Sequence, residues 1–281
     1  MSSRSLLNLA LLGLAAVLVL VIVYQPGSTP EPAAQTVTAL NSDNISRIRV
    51  TRTTREPLEF IRHADKWFLT GESELPASDF QIKSLLAVLQ AEAARSYPAS
   101  SLDLATVGLE PPLATLSLDD TLIKIGAIDA LDKLRYLQAG DTVFLVADRY
   151  QHLINSNWHG FVDRELLPAD SKLSRLQLPD FTLSLQTDNQ WLLSPARPSV
   201  KMTALQQLTA NWKQARAYYV RRHQGETGEA TITLEFSGNI EPITFHIVTR
   251  TPELILARPE IGIQYHLQSD MQKTLLALPA D

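Results

Sequence analysis

The segment ATLSLDD (residues 114–120) decides the fold, because a similar segment, ATITLEF (230–236), occurs later in the same chain. Apolar and polar residues alternate in both segments with a period of two, as they do in a half-buried β-strand. Each segment leads into a second strand-like run, LIKIG (122–126) or ITFHIV (243–248). The sequence therefore predicts an internal duplication in which each copy contains an antiparallel β-meander.

The residues before each meander match as well. SRIRVTR (46–52) and KLSRLQL (172–178) have the pattern of strands, and each is followed by a predicted hairpin that ends on a tryptophan. Because Trp67 and Trp191 occupy equivalent positions in the two copies, we expect both to pack in the core rather than to stack on a ligand.

Each hairpin precedes a predicted amphipathic helix. Ser78 with Gln81, and Thr203 with Gln206, have the spacing of a capping box at a helix start. Apolar residues three or four apart follow on one face of each helix: Ile82, Leu85, Leu89 and Ala93 in the first copy, and Leu205, Leu208, Trp212 and Ala215 in the second.

The order hairpin, helix and meander, present twice, predicts the α+β fold class. We expect two tandem copies of a mostly antiparallel sheet, each covered by one amphipathic helix. The expected boundaries are residues 44–170 for the first repeat unit with its connector and 171–281 for the second. The connector, residues 156–170, carries apolar residues of its own and is expected to pack. Whether the units form one domain or two stays open.

An apolar run without charged side chains, residues 6–24, precedes the repeats. As an α-helix it would rise about 28 Å, close to the roughly 30 Å thickness of a bilayer's hydrocarbon core. We therefore predict a transmembrane helix within residues 1–24 that acts as an uncleaved signal anchor; a cleaved signal peptide is the alternative.

The charges around this run predict its orientation. Arg4 precedes it, whereas residues 25–43 contain neither lysine nor arginine. The positive-inside rule then leaves the amino terminus in the cytoplasm and the C-terminal domain in the periplasm of a bacterial inner membrane. Residues 25–43 also contain three prolines, so we expect a semi-extended periplasmic spacer.

The composition limits the functions that are possible. The chain carries 25 basic and 30 acidic side chains, for a formal net charge of −5, and 45% of its residues are hydrophobic. A mildly acidic chain without a concentrated basic face is not expected to bind nucleic acid. The absence of cysteine excludes disulfides, thiolate nucleophiles and thiolate-ligated metals.

A resemblance to a known family rests on three segments and on the two equivalent tryptophans. The segments are VGLEPPLATLSL (107–118), DTVFLVAD (141–148) and FVDRELL (161–167). Over nearly all of residues 44–281 the chain resembles a duplicated bacterial envelope family, the domain of unknown function designated four-three-four-zero. Genes of that family often lie beside those of a gliding-motility-type ABC transporter, so the resemblance implies a partner protein and no known catalysis. The second copy lacks the Gly-Leu-Glu-Pro turn, which would confine a function of that turn to the first.

Sequence signatures of catalysis and of phosphate binding are absent. The chain contains no GxSxG, HExxH, GxxxxGK[ST] or GxGxxG motif. We therefore predict a protein that is not an enzyme and that holds no cofactor and no metal. The six histidines are scattered, and we expect surface or hydrogen-bonded roles for them: His63, His152, His159, His223, His246 and His266.

Paired carboxylates are the remaining route to general acid and base chemistry. The candidates are Glu72 with Glu74, Asp119 with Asp120, and Asp163 with Glu165. Aspartate is favoured at turns because its side chain bonds the local backbone, so Asp119-Asp120 is interpreted as a hairpin turn. The other two pairs are interpreted as solvated loop charges.

A candidate interaction patch lies in KQARAYYVRRH (213–223), where basic residues alternate with Tyr218 and Tyr219. Such a patch can bind a sugar ring, an anionic headgroup or an acidic protein surface. Alternatively the helix ends here, with cations in its last turn and tyrosines packed on the sheet. The patch consists of Lys213, Arg216, Tyr219, Arg221 and Arg222.

Three functional hypotheses follow. The first is a non-enzymatic, single-pass membrane accessory or scaffold protein that docks on an ABC-type complex or an envelope substrate, with an ABC permease or its auxiliary subunit as partner. The second is an envelope hydrolase or polysaccharide-modifying enzyme, which requires two carboxylates across one concave pocket. The third is a glycan- or lipid-contacting module, which requires the arginines of the patch to converge.

Overall fold

The computed structural model describes residues 13–17, 19 and 35–278, which form two antiparallel β-sheets with few helices. The first sheet contains β1 (Gln35–Thr36), β2 (Arg47–Arg52), β3 (Arg55–His63), β4 (Lys66–Leu69), β5 (Leu75–Pro76), β6 (Glu92–Pro98), β7 (Ala114–Leu118), β8 (Thr121–Ile128), β9 (Leu134–Ala139) and β10 (Thr142–Ala147). The second contains β11 (Leu173–Gln177), β12 (Thr182–Leu185), β13 (Trp191–Ser194), β14 (Tyr219–Arg222), β15 (Ala230–Phe236), β16 (Ile243–Thr249), β17 (Leu254–Arg258) and β18 (Ile263–Leu267). The α-helices are α1 (Asp79–Leu86), α2 (Gln151–Asn155), α3 (Met202–Gln214) and α4 (Met271–Leu276).

Equivalent strands have the same neighbours in both sheets. The order in the first sheet is β1-β6-β10-β9-β8-β7-β2-β3-β4-β5. The order in the second sheet is β13-β12-β11-β15-β16-β17-β18-β14. When one order is read backwards and β1 and β5 are set aside, every strand has a counterpart in the same place. This is the arrangement that duplication of one unit produces.

The predicted α+β fold class is wrong, because the sequence prediction extended both helices too far. Leu89 lies in a 3₁₀ turn after α1, Ala93 lies in β6, and Ala215 is the residue after α3. The chain beyond each helix enters a strand instead: β6, which pairs with β1 and β10, or β14, an edge strand that pairs with β18. Those partner strands are distant in sequence, so local periodicity does not reveal them.

The prediction of an N-terminal transmembrane helix is also corrected. In the part of the chain that the structure describes, no helix is long and apolar enough to cross a membrane. Residues 13–17 are helical, but a helix of that length rises only about 7.5 Å. The rest of the predicted span, apart from residue 19, and the spacer up to residue 34 lie outside the described residues.

The segments that contain the two longer helices link strands that are far apart in the order of each sheet. α1 lies between β5 and β6, and α3 lies between β13 and β14. Trp212 of α3 is fully buried, and its indole nitrogen donates to the carbonyl oxygen of Leu275 in α4 at 2.9 Å. Neither predicted capping box forms: Ser78 makes no side-chain cap bond, and Thr203 lies inside α3.

The connector packs, as predicted from its apolar residues. Phe161 accepts a backbone hydrogen bond from Ser78 at 2.7 Å, and Leu166 donates one to Ala215 at 3.1 Å, so this segment touches both units. Trp67 is buried and Trp191 packs half-buried against the core, as their equivalent positions predicted. The buried apolar residues of both sheets and the connector form one continuous core.

Candidate functional site

The candidate interaction patch lies at the end of α3 and along β14. Lys213 is in the last turn of α3, Arg216 is in the link that follows, and Tyr219, Arg221 and Arg222 are in β14; all five are exposed. The alternative prediction, a helix end, is therefore correct for Lys213 and wrong for the three residues of β14.

The pairing of β14 with β18 separates the arginines. Tyr219 lies opposite His266, and Arg221 lies opposite Gln264. Because successive side chains of a strand point to opposite faces, Tyr219 and Arg221 share one face and Arg222 lies on the other. The arginines of the patch point apart, so the convergence that the glycan- or lipid-contacting hypothesis requires is not found.

Both arginines of β14 are paired with carboxylates. An Arg221 guanidinium nitrogen lies 3.0 Å from Glu226, and an Arg222 nitrogen lies 3.4 Å from Glu72. The Arg222 guanidinium also stands 5.1 Å from the ring centroid of Trp158, a cation–π distance. An anionic headgroup would have to displace these carboxylates before it could bind.

Polar side chains of β18, the neighbour of β14, form a hydrogen-bonded network with residues of other segments. Gln264 and His266 are 0% and 5% exposed. The His266 Nδ1 lies 2.9 Å from Glu253, and the Tyr218 hydroxyl donates to the other oxygen of the same carboxylate. His266 Nε2 lies 3.2 Å from the Gln264 amide. The chain of contacts therefore runs from an exposed tyrosine to two buried side chains.

The Gln264 amide extends this network to Arg221. Its oxygen is assigned toward Arg221, because in that orientation it accepts from Nε at 2.7 Å and from Nη2 at 2.8 Å. The amide nitrogen then donates to Glu226 at 3.2 Å. We call these residues the polar network: Tyr218, Arg221, Glu226, Glu253, Gln264 and His266.

Aromatic side chains cover the outer end of the polar network. The Tyr219 ring lies edge-on to His266 and to His159, with centroid distances of 5.6 and 5.3 Å. His159 also contacts Trp158 at 5.8 Å, within the 3₁₀ turn Trp158–Gly160 of the connector. Tyr218 and Tyr219 remain exposed. We call Trp158, His159, Tyr218 and Tyr219 the tyrosine face.

The hydrogen bond from the Tyr218 hydroxyl holds the pKa of Glu253 below its usual value, with smaller contributions from His266 and Arg221. The same bond raises the pKa of Tyr218. Backbone amides, chiefly its own, and the charges of His223 and Arg221 lower the pKa of Glu226. At neutral pH both glutamates are therefore anionic hydrogen-bond acceptors.

The first unit has apolar residues where the second has Gln264 and His266. In β18 the alternate residues Ile263, Tyr265 and Leu267 belong to the core, which leaves Gln264 and His266 on the opposite face. In the equivalent strand β10, Phe144 and Val146 belong to the core, which leaves Val143 and Leu145 as the counterparts. The two copies of the unit therefore differ at this face, which is apolar in the first and polar in the second.

A family model described as Domain of unknown function (DUF4340) matches residues 67–230, which is more than half of the 281 residues. The chain belongs to this family. No curated protein and no solved structure matches it. The DUF4340 match covers β14 and the connector but ends where β15 begins, so Glu253, Gln264 and His266 lie beyond it.

The carboxylate pairs that the sequence suggested serve turns and ion pairs in this DUF4340 protein. Asp119 lies in the turn between β7 and β8, as predicted, and accepts from the Arg47 amide at 2.8 Å. Glu72 pairs with Arg222, whereas Glu74 lies 3.3 Å from His63. The third pair, Asp163 with Glu165, also makes a local contact.

The Asp163 carboxylate accepts from the backbone amide of Glu165 at 3.1 Å, and burial raises the pKa of Asp163. A different pair, Glu253 and Asp270, lines an open cavity of about 470 Å³ beside Tyr218. Because the pKa of Glu253 is lowered, this carboxylate is poorly suited to act as a general acid near neutral pH. Among the described residues, no group of three or more histidine and carboxylate side chains is arranged to hold a metal ion.

Sequence reasoning found the β14 part of the site and missed the rest. Trp158 and His159 come from the connector, and Glu253 comes from the turn before β17. No local motif marks these residues. Gln264 and His266 did carry a signal, since two polar residues with a period of two interrupt the otherwise apolar strand IQYHL (263–267).

Proposed function

We propose that this DUF4340 protein is a non-enzymatic accessory protein of the bacterial envelope, and that its tyrosine face docks onto a subunit of an ABC-type transport complex. The observation that carries the proposal is the buried pair Gln264 and His266 behind exposed tyrosines, where the first unit has Val143 and Leu145. Buried polar side chains usually add little stability compared with apolar ones of similar size. Their presence in one copy alone therefore supports a role in recognition.

The residue types of the surface support a protein partner. Tyrosine, tryptophan and arginine dominate the energetic centres of protein interfaces, because they combine apolar area with directed polar groups. The tyrosine face presents two tyrosines and a half-buried tryptophan, with Arg222 stacked on the tryptophan. The polar network holds Tyr218 and Tyr219 in place, which lowers the entropy lost on binding.

The choice of an ABC permease or its auxiliary subunit rests on the family resemblance, and the envelope location rests on the sequence. Both are proposals. Cell fractionation tests the location, and recovery of the protein with cytoplasmic rather than envelope fractions would contradict it.

Site-specific photo-crosslinking tests the docking proposal. A photoreactive phenylalanine analogue replaces Tyr219 in the full chain, expressed in its own host, and crosslinked products are identified by mass spectrometry. The matched control carries the analogue at Leu122, an exposed residue of β8 in the first sheet. We expect an ABC permease or its auxiliary subunit from position 219 and none from position 122. The proposal would be rejected if repeated experiments recovered no such subunit, or if they recovered it equally from both positions.

A further inference from the structure

We propose that the free edge of β13 binds an extended segment of a partner polypeptide, in the place that β5 occupies on the equivalent edge of the first sheet. This second site goes beyond the tyrosine face. The two lie at opposite edges of the same sheet, since β13 and β14 are its outermost strands.

The first sheet shows what covers this edge. β5 pairs antiparallel with β4, so that Leu75 lies opposite Leu69 and Pro76 lies opposite Phe68. The backbone amide of Ala77 then donates to the Trp67 carbonyl oxygen at 2.9 Å. Leu75 is only 3% exposed. A short extended segment therefore satisfies the outer backbone groups of β4 and buries one leucine.

The second sheet has the equivalent edge, at β13, but no equivalent of β5 covers it in the described part of the chain. β13 is the counterpart of β4, and in the described part of the chain no strand pairs with its outer side. The residues that follow turn away instead: the Val200 amide donates to the Arg197 carbonyl oxygen at 3.0 Å. Val200 packs against the core. The outer backbone edge of β13 therefore stays open in this part of the chain.

The side chains of β13 fit an apolar occupant. The strand reads WLLS, without a charged residue or an internal proline, and Leu192 is 55% exposed. Natural proteins usually protect such edges with charges, prolines or a covering segment, because an open edge pairs readily with other chains. Addition of a strand gives affinity through main-chain hydrogen bonds and specificity through alternate side chains.

The occupant is therefore an extended segment that runs antiparallel to β13 and places an apolar side chain opposite Leu193, as Leu75 lies opposite Leu69. A second copy of the same chain, paired edge to edge through β13, is the competing occupant.

The probe is a synthetic peptide of residues 71–79, GESELPASD, which contains the protein's own β5. Hydrogen exchange of the full chain is measured with and without this peptide, and peptide affinity is measured by fluorescence anisotropy. We expect slower exchange of backbone amides in β13 and saturable binding that a scrambled peptide does not reproduce. Absence of protection in β13 at saturating or millimolar peptide would overturn the proposal.

Leu192→Lys and its control, Leu122→Lys, separate this site from other surfaces. Both leucines are about half exposed, so both variants are expected to fold. Leu192→Lys is expected to weaken peptide binding at least threefold and to leave crosslinking at Tyr219 unchanged. Leu122→Lys is expected to bind the peptide with the affinity of the wild type. Equal affinity in the two variants contradicts the proposal. Sedimentation that shows a dimer lost in Leu192→Lys alone would also overturn it, in favour of self-pairing.

Discussion

At the scale of single residues, Gln264 and His266 distinguish the second unit from the first. Both side chains are buried, and both depend on partners from other segments of the chain: Glu253, Glu226 and Arg221. In the first unit the same face of the equivalent strand holds Val143 and Leu145. This difference makes the first unit a natural template for removing the polar network.

The double variant Gln264→Val with His266→Leu copies the first unit. We expect its free energy of unfolding to stay equal or to rise, because apolar residues replace a buried polar pair of similar size. Crosslinking of the envelope partner at Tyr219 is expected to fall about tenfold. Urea unfolding and quantitative mass spectrometry give the two readouts. A variant that folds and crosslinks as well as the wild type would show that the polar network has no role in recognition.

The Tyr218–Glu253 hydrogen bond predicts a pH dependence of stability. The pKa of Glu253 is lowered in the folded state, so this bond contributes stability above the ordinary glutamate pKa of about 4.3 and loses it as pH falls through the lowered value. Tyr218→Phe should therefore destabilise the protein at pH 7 and cost progressively less in acid. Urea unfolding of the wild type and of Tyr218→Phe, at pH 7 and at acidic pH, measures the difference in the free energy of unfolding. The same cost at both would contradict the assignment of Glu253 as an anionic acceptor.

At the scale of elements, a buried ion pair fixes the end of β10 to β9. Arg135, 1% exposed, donates to both carboxylate oxygens of Asp148, at 2.6 and 3.0 Å. It also donates to the Gly126 carbonyl oxygen at 2.7 Å. The hydrogen bonds from Arg135 to the carboxylate lower the pKa of Asp148. Each hydrogen bond compensates part of the cost of burying a guanidinium.

Asp148→Asn leaves that guanidinium without a counter-charge. We expect a loss of about 3 kcal/mol in the free energy of unfolding, by analogy with other broken buried pairs. The control is Asp132→Asn, since Asp132 pairs with Arg95 at the surface. Its cost should stay below about 1 kcal/mol. Urea denaturation measures both variants, and equal costs would contradict the account of Arg135.

The elements that alternate strictly were predictable from the sequence, and the strands that follow the two longer helices were not. ATLSLDD and ATITLEF carry their own period of two, so β7 and β15 could be recognised without any partner. β6 and β14 depend on pairing with β10 and β18, which are distant in sequence. The patch was therefore misread beyond Gln214, and the contact of Tyr219 with His159 and His266 stayed hidden.

At the scale of the whole molecule, the connector and direct contacts join the two sheets. The Asp163 amide donates to Pro76 at 2.8 Å on one side, and the Ala217 amide donates to Arg164 at 2.8 Å on the other. The Ser73 hydroxyl donates to the Ile261 carbonyl oxygen at 2.7 Å. With a shared core, we expect the two units to unfold together.

Equilibrium unfolding in urea tests this cooperativity. Tryptophan fluorescence reports on both units, because tryptophans lie in both. If the units unfold together, fluorescence and circular dichroism should show one coincident transition. Phe161→Ala should lower the free energy of unfolding by about 3 kcal/mol, since Phe161 is fully buried against Phe60. Two separate transitions in the wild type would show that the units are independent domains.

The most direct test of the central claim, recognition through the tyrosine face, is the affinity of the crosslinked partner subunit for purified protein. Biolayer interferometry compares the wild type with Tyr219→Ala, and with Thr231→Ala as a control on the exposed face of β15. The account expects Tyr219→Ala to weaken binding at least tenfold, about 1.4 kcal/mol, and Thr231→Ala to change nothing. Equal affinity of all three proteins would contradict it.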